Sequence, residues 1–231
     1  MDPSTKISFT LKIFRELPVD FARDNRTPYL HRFLYKDHMP QFITQAFCMC
    51  VLYAHKTDEN RGLMLRVLHD NVTSLLSSSK ATSLTPYEKL ARVHALIFYQ
   101  IIRMFDGDIT LGQQANNDFN LLEAWIDDLR KLRDNLTDCV GLDEATLRNN
   151  PPQSWEVRVN IPPYCFHYLT PTRKRWVFAE SLRRTVMMGY ALKSISELLR
   201  GLVNKPGESS RRAICRWQDT LSNIDLHSTF G

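Results

Sequence analysis

Apolar residues in the first third of the chain recur every three or four positions, which is the spacing of an amphipathic helix. Three helices are predicted there. Pro18 should end the first, because proline lacks the amide hydrogen that a helix interior needs, and Pro40 suits the first turn of the second. The third should close in the serine-rich loop at residues 77–79. Their apolar positions are Ile7, Leu11 and Phe14, then Ile43, Phe47, Cys50 and Ala54, then Met64, Leu68, Val72 and Leu75.

The clearest helix runs from Tyr87 to about Phe105. Thr85 is a candidate N-cap, and Pro86 and Glu88 suit the first turn. Large apolar residues cover two sides of this helix, so it should lie inside a bundle. Asp106-Gly107 should then end it, since glycine readily adopts a positive φ. The two apolar stripes are Leu90, Val93, Ile97, Ile101 and Met104, and Ala91, Ala95, Phe98, Ile102 and Phe105.

Two further helices are predicted, one from Asn117 to about Leu136 and one from Thr172 to Leu202. The second contains Gly189, and its uncharged segment 186–192 should be buried. Residues 137–172 are rich in proline and predict a loop-rich insertion with a short strand at residues 155–159. The pattern therefore predicts an all-α fold, a single irregular bundle of about six or seven helices. The helical domain should span residues 1–203, followed by a basic tail at 204–231.

Composition supports a folded domain and places the basic charge near the carboxyl end. The 231 residues are 43% hydrophobic and 24% charged, which excludes disorder for most of the chain and excludes collagen-like repeats. The formal net charge is +5. Residues 170–231 hold 11 Lys and Arg against 5 Asp and Glu, so the rest of the chain is nearly neutral. This balance permits an anionic partner without requiring one.

The start of the chain does not resemble a secretory signal, and no apolar stretch is long enough to span a membrane. The five cysteines are odd in number and scattered, as is usual for reduced thiols inside a cell. We therefore expect a protein of the nucleus or cytoplasm that is not secreted.

Short groups of reactive residues give weak signals for chemistry. Cys48 and Cys50 are separated by one residue, whereas structural zinc sites usually have two to four between paired cysteines, so core packing is favoured for both. His31 and His38 lie in a segment that reads as irregular, where solvent-facing or capping roles are favoured. Asp106-Gly107-Asp108 reads as a helix stop rather than a metal or acid–base site. We expect no metal site and no cofactor.

The most distinctive segment is Arg173 to Thr185. Glu180 lies three residues before Arg183 and four before Arg184, so it can pair with either on a helix. We predict a partly buried charge pair that fixes the register of this helix. Arg173, Lys174 and Arg175 form a short basic cluster that could serve nuclear import.

Several segments of the chain resemble a known family. LARVHALIFYQIIRMFDGD and RWVFAESLRRTVMMGYALKSI, preceded by LPVDFARDNRTPYLHRF and MPQFITQAFCMC, are similar to the C-terminal regulatory region of fungal zinc-cluster transcription factors, the type found in secondary-metabolite gene clusters. The resemblance covers roughly residues 7–203 in consistent order. It implies an all-α regulatory region, and the family contributes no catalytic residues.

The chain departs from that family where the zinc cluster would stand. The family's DNA-binding domain uses six cysteines, and this sequence has five without the close spacing. The leading hypothesis is therefore a transcription-factor-like regulatory or interaction protein without its own DNA-binding domain, which modulates a fungal secondary-metabolite gene cluster. Its partner would be a DNA-binding regulator, a co-regulator or a second copy. Binding of a small molecule stays open, and sequence-specific DNA binding by the chain alone is not expected.

Two alternatives stay open. The first is a biosynthetic enzyme of secondary metabolism that has reused the helical scaffold, with a polar pocket among the central helices. Its candidate residues would be His94, Arg103, Asp106, Glu180 and Arg183. The second is a fragment of a longer transcription factor.

Overall fold

The computed structural model describes residues 3–78, 84–139 and 171–199 of the chain. Six α-helices account for most of these residues, and none of the described residues lies in a β-strand. The prediction of an all-α fold is confirmed. The helices are α1 (Pro3–Asp24), α2 (Gln41–Ala54), α3 (Arg61–Ser77), α4 (Pro86–Phe105), α5 (Ile109–Cys139) and α6 (Pro171–Leu199).

Helix α4 lies at the centre of the bundle and packs against each of the other five described helices. Every residue from Leu90 to Arg103 is buried, as two apolar stripes on one helix require. A capping box fixes where the helix begins. Thr85 Oγ1 accepts a hydrogen bond from the Glu88 amide at 3.3 Å, and the Glu88 carboxylate accepts one from the Thr85 amide at 2.8 Å.

Helix α1 runs through Pro18, so the prediction that this proline ends the first helix was wrong. The apolar stripe continues past it, since Leu17 and Phe21 are as fully buried as Phe14. Phe21 also stacks on Phe98 of α4, with ring centroids 4.6 Å apart. A proline inside a helix costs about 3 kcal/mol, whereas each large buried side chain contributes roughly 1.5–3 kcal/mol. Packing therefore outweighs the local preference.

The α1–α2 connection, residues 25–40, contributes side chains to the core although it has no regular secondary structure. Asn25 ends α1 with a φ of 52°, and its amide donates to Phe21 O at 3.0 Å. Thr27 and Leu30 then exchange backbone hydrogen bonds at 2.9 and 3.2 Å. These bonds pair backbone groups of the turn, which lowers the cost of burying the connection between helices. Its core residues are Tyr29, Leu30, Leu34 and Tyr35.

Helix α5 begins at Ile109, eight residues before the predicted start at Asn117. Asp108 explains the difference, because its carboxylate accepts hydrogen bonds from the amides of Thr110 and Leu111 at 2.8 and 3.2 Å. An aspartate in this role stabilises the first turn of a helix. Gly107, with a φ of 90°, lets the chain reverse direction between α4 and α5.

Helix α6 packs against α4 and α5. Within its uncharged segment, Val186, Met188, Ala191 and Leu192 are buried as predicted, while Met187 and Tyr190 are half-buried. Gly189 lies directly against α5: a Cβ atom added there would stand 2.0 Å from Ile126 Cδ1. The absence of a side chain at Gly189 therefore lets α6 pack directly on Ile126 of α5, and the helix continues through this glycine.

The prediction of core packing was right for Cys50, which is buried, and wrong for Cys48, which is exposed. The reason is helical geometry, because residues two apart on α2 point in directions about 200° apart. No described helix is sufficiently long and apolar to cross a membrane. The predicted strand at 155–159 and the predicted tail at 204–231 lie outside the described residues.

Candidate functional site: buried polar groups around the central helix

Within the described residues, three groups of enclosed polar side chains lie along α4 and its neighbours. The first surrounds His94 and the second Arg103. The third surrounds Asp106, where α4 meets the turn between α2 and α3. A fourth charged group, around Glu180, joins α6 to the α1–α2 connection. Each group lies where two or more elements meet. The hydrogen-bond distances within each group show whether its side chains bind one another or are available to a substrate.

His94 is fully buried and bridges two other elements. Its Nδ1 lies 2.9 Å from the Tyr35 hydroxyl of the α1–α2 connection, and its Nε2 lies 2.6 Å from Thr185 Oγ1 of α6. The Thr185 hydroxyl donates its single hydrogen to Ser181 O at 2.6 Å. It must therefore accept from His94 Nε2–H, which leaves Nδ1 to accept from Tyr35. The hydrogen-bonding network assigns one tautomer to the imidazole.

Burial lowers the pKa of His94 to about 3. The cause is loss of hydration, which disfavours the charged imidazolium. The imidazole is consequently neutral at physiological pH, and both of its nitrogens are occupied. A general base needs a free lone pair within reach of substrate. This histidine joins three parts of the fold and leaves no nitrogen for such chemistry.

Glu180 accepts hydrogen bonds from two arginines of its own helix. Arg183 donates to it through Nε and Nη2 at 2.7 and 2.6 Å, and Arg184 donates through Nε at 2.7 Å. Burial raises the pKa of the Glu180 carboxyl, but the two guanidinium groups outweigh that effect and hold it below its usual value. Arg184 also donates to Pro28 O at 3.0 Å. The cluster thus attaches α6 to the α1–α2 connection.

Arg103 is buried where α4 packs on α5. Its Nη1 donates to Asp118 Oδ2 at 2.8 Å, and its Nη2 donates to Gln100 Oε1 at 2.9 Å. Gln100 in turn donates to Ala115 O at 3.0 Å. Burial lowers the pKa of Arg103, and the Asp118 carboxylate opposes that shift. This polar seam aligns the two helices.

Asp106, directly after α4, has a fully enclosed carboxylate that contacts two cations. Lys56 Nζ lies 2.5 Å from Oδ1, and Arg61 Nη2 lies 3.0 Å from Oδ2. Arg61 also reaches Asp108 at 3.8 Å. Asp106 therefore has a second role besides ending α4, because its carboxylate holds the α2–α3 turn against the end of that helix.

The structure does not bring the five enzyme candidates into one pocket. His94 and Asp106 lie 12 residues apart on and just beyond α4, which is about 18 Å along a helix axis. Glu180 and Arg183 occupy the separate cluster on α6. Each of the five is engaged with protein partners, so they form no shared constellation that could act on one substrate. Within the described residues, these five side chains therefore do not line one polar pocket.

Other predicted residues are placed as follows. His38 is exposed, and His31 is half-buried with Nδ1 accepting from the Phe33 amide at 3.2 Å. Arg173, Lys174 and Arg175 fall in the first turns of α6, and their side chains lie outside the described residues. Among the described stretches, no group of three or more His, Cys, Asp or Glu side chains could hold a metal ion.

Sequence reasoning missed the partners of His94. Tyr35 and Thr185 lie 59 and 91 residues away from it in the chain, and no local pattern links positions so far apart. A signal did exist for the α4–α5 seam. Arg92, Gln100 and Arg103 recur at spacings of eight and three on the helix with two apolar stripes, and polar residues on an otherwise buried helix require internal partners.

Comparison with known proteins shows a likeness to a fungal transcription factor. The chain is 29% identical over 191 residues to "Transcription factor gsfR2" of Penicillium aethiopicum, a match that covers 82% of this chain and 42% of that protein. It thus spans less than half of the relative's length. No protein-family model matches the chain, and no solved structure matches it. Over four fifths of its residues, this chain is similar to a fungal transcription factor, which confirms the resemblance seen in the sequence.

Proposed function

We propose that this helical body is a regulatory module that modulates expression of a fungal secondary-metabolite gene cluster through contacts with other proteins. The likeness to a transcription factor over 82% of the chain carries the proposal. Its partner is a DNA-binding regulator, a co-regulator or a second copy of the chain, and it reads no DNA sequence by itself.

The packing of the bundle supports this proposal. The polar groups that could have suggested catalysis hold helices together, as the Tyr35–His94–Thr185 bridge and the Glu180 cluster do. A core in which hydrogen-bonded side chains connect separate helices is typical of a rigid scaffold, which presents its outer surface to a partner without large rearrangement.

Deletion of the gene, with measurement of neighbouring transcripts and metabolites in the same cultures, tests the proposal. We expect transcripts of the neighbouring biosynthetic genes to fall or rise together, with the metabolite following them. Reintroduction of the wild-type gene should restore both. Unchanged transcripts together with an accumulated biosynthetic intermediate would overturn the regulatory proposal in favour of an enzyme.

Binding of DNA by the purified 231-residue chain is a second test. We expect weak binding without sequence preference, and its affinity should fall steeply with salt because phosphate contacts release counterions. A sequence-specific footprint at physiological salt would contradict the proposal that the chain depends on a separate DNA-binding partner.

The proposal places the protein in the nucleus, with Arg173, Lys174 and Arg175 as the import cluster. Replacement of all three by alanine in a fluorescent fusion should shift the protein towards the cytoplasm. Arg130 and Lys131, a basic pair exposed on α5, provide a matched control whose replacement should leave localisation unchanged. An unaltered nuclear signal in the triple variant would refute the role of the cluster.

A further inference from the structure

Helix α6 is buried on a side that no other described helix reaches. Among the described helices, only α4 and α5 pack against it. Thr185 hydrogen-bonds to α4, and Gly189 lies against α5. Ser194 points about 180° away from Thr185 and about 140° away from Gly189 around the helix axis, yet it is only 2% exposed. The α1–α2 connection meets α6 at Arg184, which lies about 15 Å before Ser194 along the helix axis.

This side of α6 carries a stripe of apolar and small residues, which we call the outer face. Its members are Met187, Ala191, Ser194 and Leu198. They recur at spacings of four, three and four, which is the spacing of a seam between two packed helices. Ala191 is 3% exposed, and Ser194 Oγ is enclosed without a hydrogen-bond partner, as expected beneath an apolar cover. The outer face therefore has the pattern and the burial of a helix–helix contact.

The chain that follows α6 contains a matching apolar stripe. It consists of Ile214, Trp217, Leu221 and Ile224. Their spacings of three, four and three have the period of a helix, and Arg216, Asp219 and Asn223 fall on the other side of that helix. Such an amphipathic segment needs an apolar face to pack against.

The position at which α6 ends favours this segment as the cover. Helix α6 ends at Leu199, directly after the last residue of the outer face. The ten residues 200–209 suffice to reverse the chain, since helix–helix connections in bundles commonly take only about two to eight. Residues 140–170 instead enter α6 at its amino end, about 35 Å from Ser194 along the helix axis.

We propose that residues 210–226 dock as a helix on the outer face of α6 and run antiparallel to it. The large side chains of Trp217 and Leu221 pack against the small residues Ala191 and Ser194, since large and small residues interdigitate across a helix contact. The docked segment extends the helical domain beyond residue 203. It also closes this face of α6, so a protein partner binds the module elsewhere. The inference does not depend on the regulatory function.

Nuclear Overhauser contacts in the full chain, labelled with ¹³C in its methionine methyl groups, test the docking directly. The Met187 methyl resonance is identified by its loss in Met187→Leu. We expect contacts from this methyl to the indole of Trp217, and these should vanish in Trp217→Phe. Contacts to Trp155 instead would assign the outer face to residues 140–170, and contacts to neither indole would leave it without this cover; both results overturn the proposal. In a mixture of labelled and unlabelled chains, contacts between copies would assign the face to a second copy and overturn it as well.

A peptide of residues 209–226 gives a second test. In the full chain, Leu221→Asp places a charge in the apolar stripe and should release the segment, so the labelled peptide should bind this variant saturably. It should bind the wild type about tenfold or more weakly, because the tethered segment competes at a millimolar effective concentration. Asn223→Asp, which adds the same charge on the polar side, should behave like the wild type.

A change on α6 locates the binding surface. Ser194→Asp added to the Leu221→Asp chain should abolish binding of the peptide, because it places a charge in the outer face. Retained binding in that double variant would refute the outer face as the docking surface. Equal binding of the peptide by the wild type and the Leu221→Asp chain, or no binding by either, would also overturn the proposal.

Discussion

Replacement of Gly189 by alanine tests the close approach of α5 and α6. The new Cβ would lie 2.0 Å from Ile126 Cδ1 and 2.9 Å from its Cγ1, whereas carbon atoms in contact are ordinarily about 3.5–4.0 Å apart. The isoleucine is buried, so it has little room to withdraw. Overpacking of this kind costs about 1–3 kcal/mol, while alanine gains about 1 kcal/mol over glycine in a helix.

Gly112 in α5 supplies the matched control, because an added Cβ there meets nothing within 4 Å. In urea unfolding, Gly112→Ala should be stabilised by about 0.5–1 kcal/mol, and Gly189→Ala should be less stable than Gly112→Ala by about 1–3 kcal/mol. Adding Ile126→Val removes the nearer clashing atom, so the double variant should be less destabilised than the sum of its two single changes. A Gly189→Ala protein as stable as Gly112→Ala would refute this account of the contact.

Three further predictions concern the cap, the charge cluster and the buried histidine. Thr85→Ala should lower the free energy of unfolding by about 1 kcal/mol, and Thr85→Ser should not, because serine also caps; equal effects in urea titrations would contradict the capping role. Glu180→Gln should lower the free energy of unfolding by about 3 kcal/mol, because it leaves two partly buried arginines without a counter-charge. Glu16→Gln, at an exposed pair with Lys12, should lower it by under about 0.5 kcal/mol. Similar losses in the two variants would refute the distinction between a partly buried and an exposed pair. His94 has a folded-state pKa of about 3, below its unfolded value near 6.5, so the unfolded chain takes up the proton first and stability falls as pH drops below about 6.5. Between pH 7 and pH 5, His94 should account for a loss of about 2 kcal/mol in the free energy of unfolding. A His94→Gln variant whose stability has the same pH dependence as the wild type would contradict this.

Local patterns predicted the elements whose boundaries depend on neighbouring residues. The start of α4 followed from Thr85, Pro86 and Glu88, which act within one helical turn. The pattern failed at Pro18, where packing of Phe21 against α4 outweighs a local cost. The early start of α5 was available from Asp108, an N-cap residue type that was interpreted only as part of a helix stop.

The contacts of the polar groups also divide into those that local spacing predicts and those that depend on the assembled fold. Pairing of Glu180 with Arg183 and Arg184 could be anticipated, because residues three and four apart share a helix face. The bond from Arg184 to Pro28 O joins positions 156 residues apart, and the His94 bridge joins three separate elements. Such contacts depend on how the whole bundle assembles. For Gln100 and Arg103 of the α4–α5 seam the sequence did carry a signal, because polar residues on a buried helix require internal partners.

The attachment of the α1–α2 connection to α6 has a consequence for how the protein is made. Tyr35 and Pro28 are translated long before α6, whose Arg184 donates to Pro28 O and whose Thr185 bonds to His94, the partner of Tyr35. A nascent chain on the ribosome therefore holds these groups without their final partners until α6 has been made, and exposed apolar surface favours aggregation during that interval. Emergence of α6 from the exit tunnel should be the step at which the amino-terminal half becomes resistant to proteases.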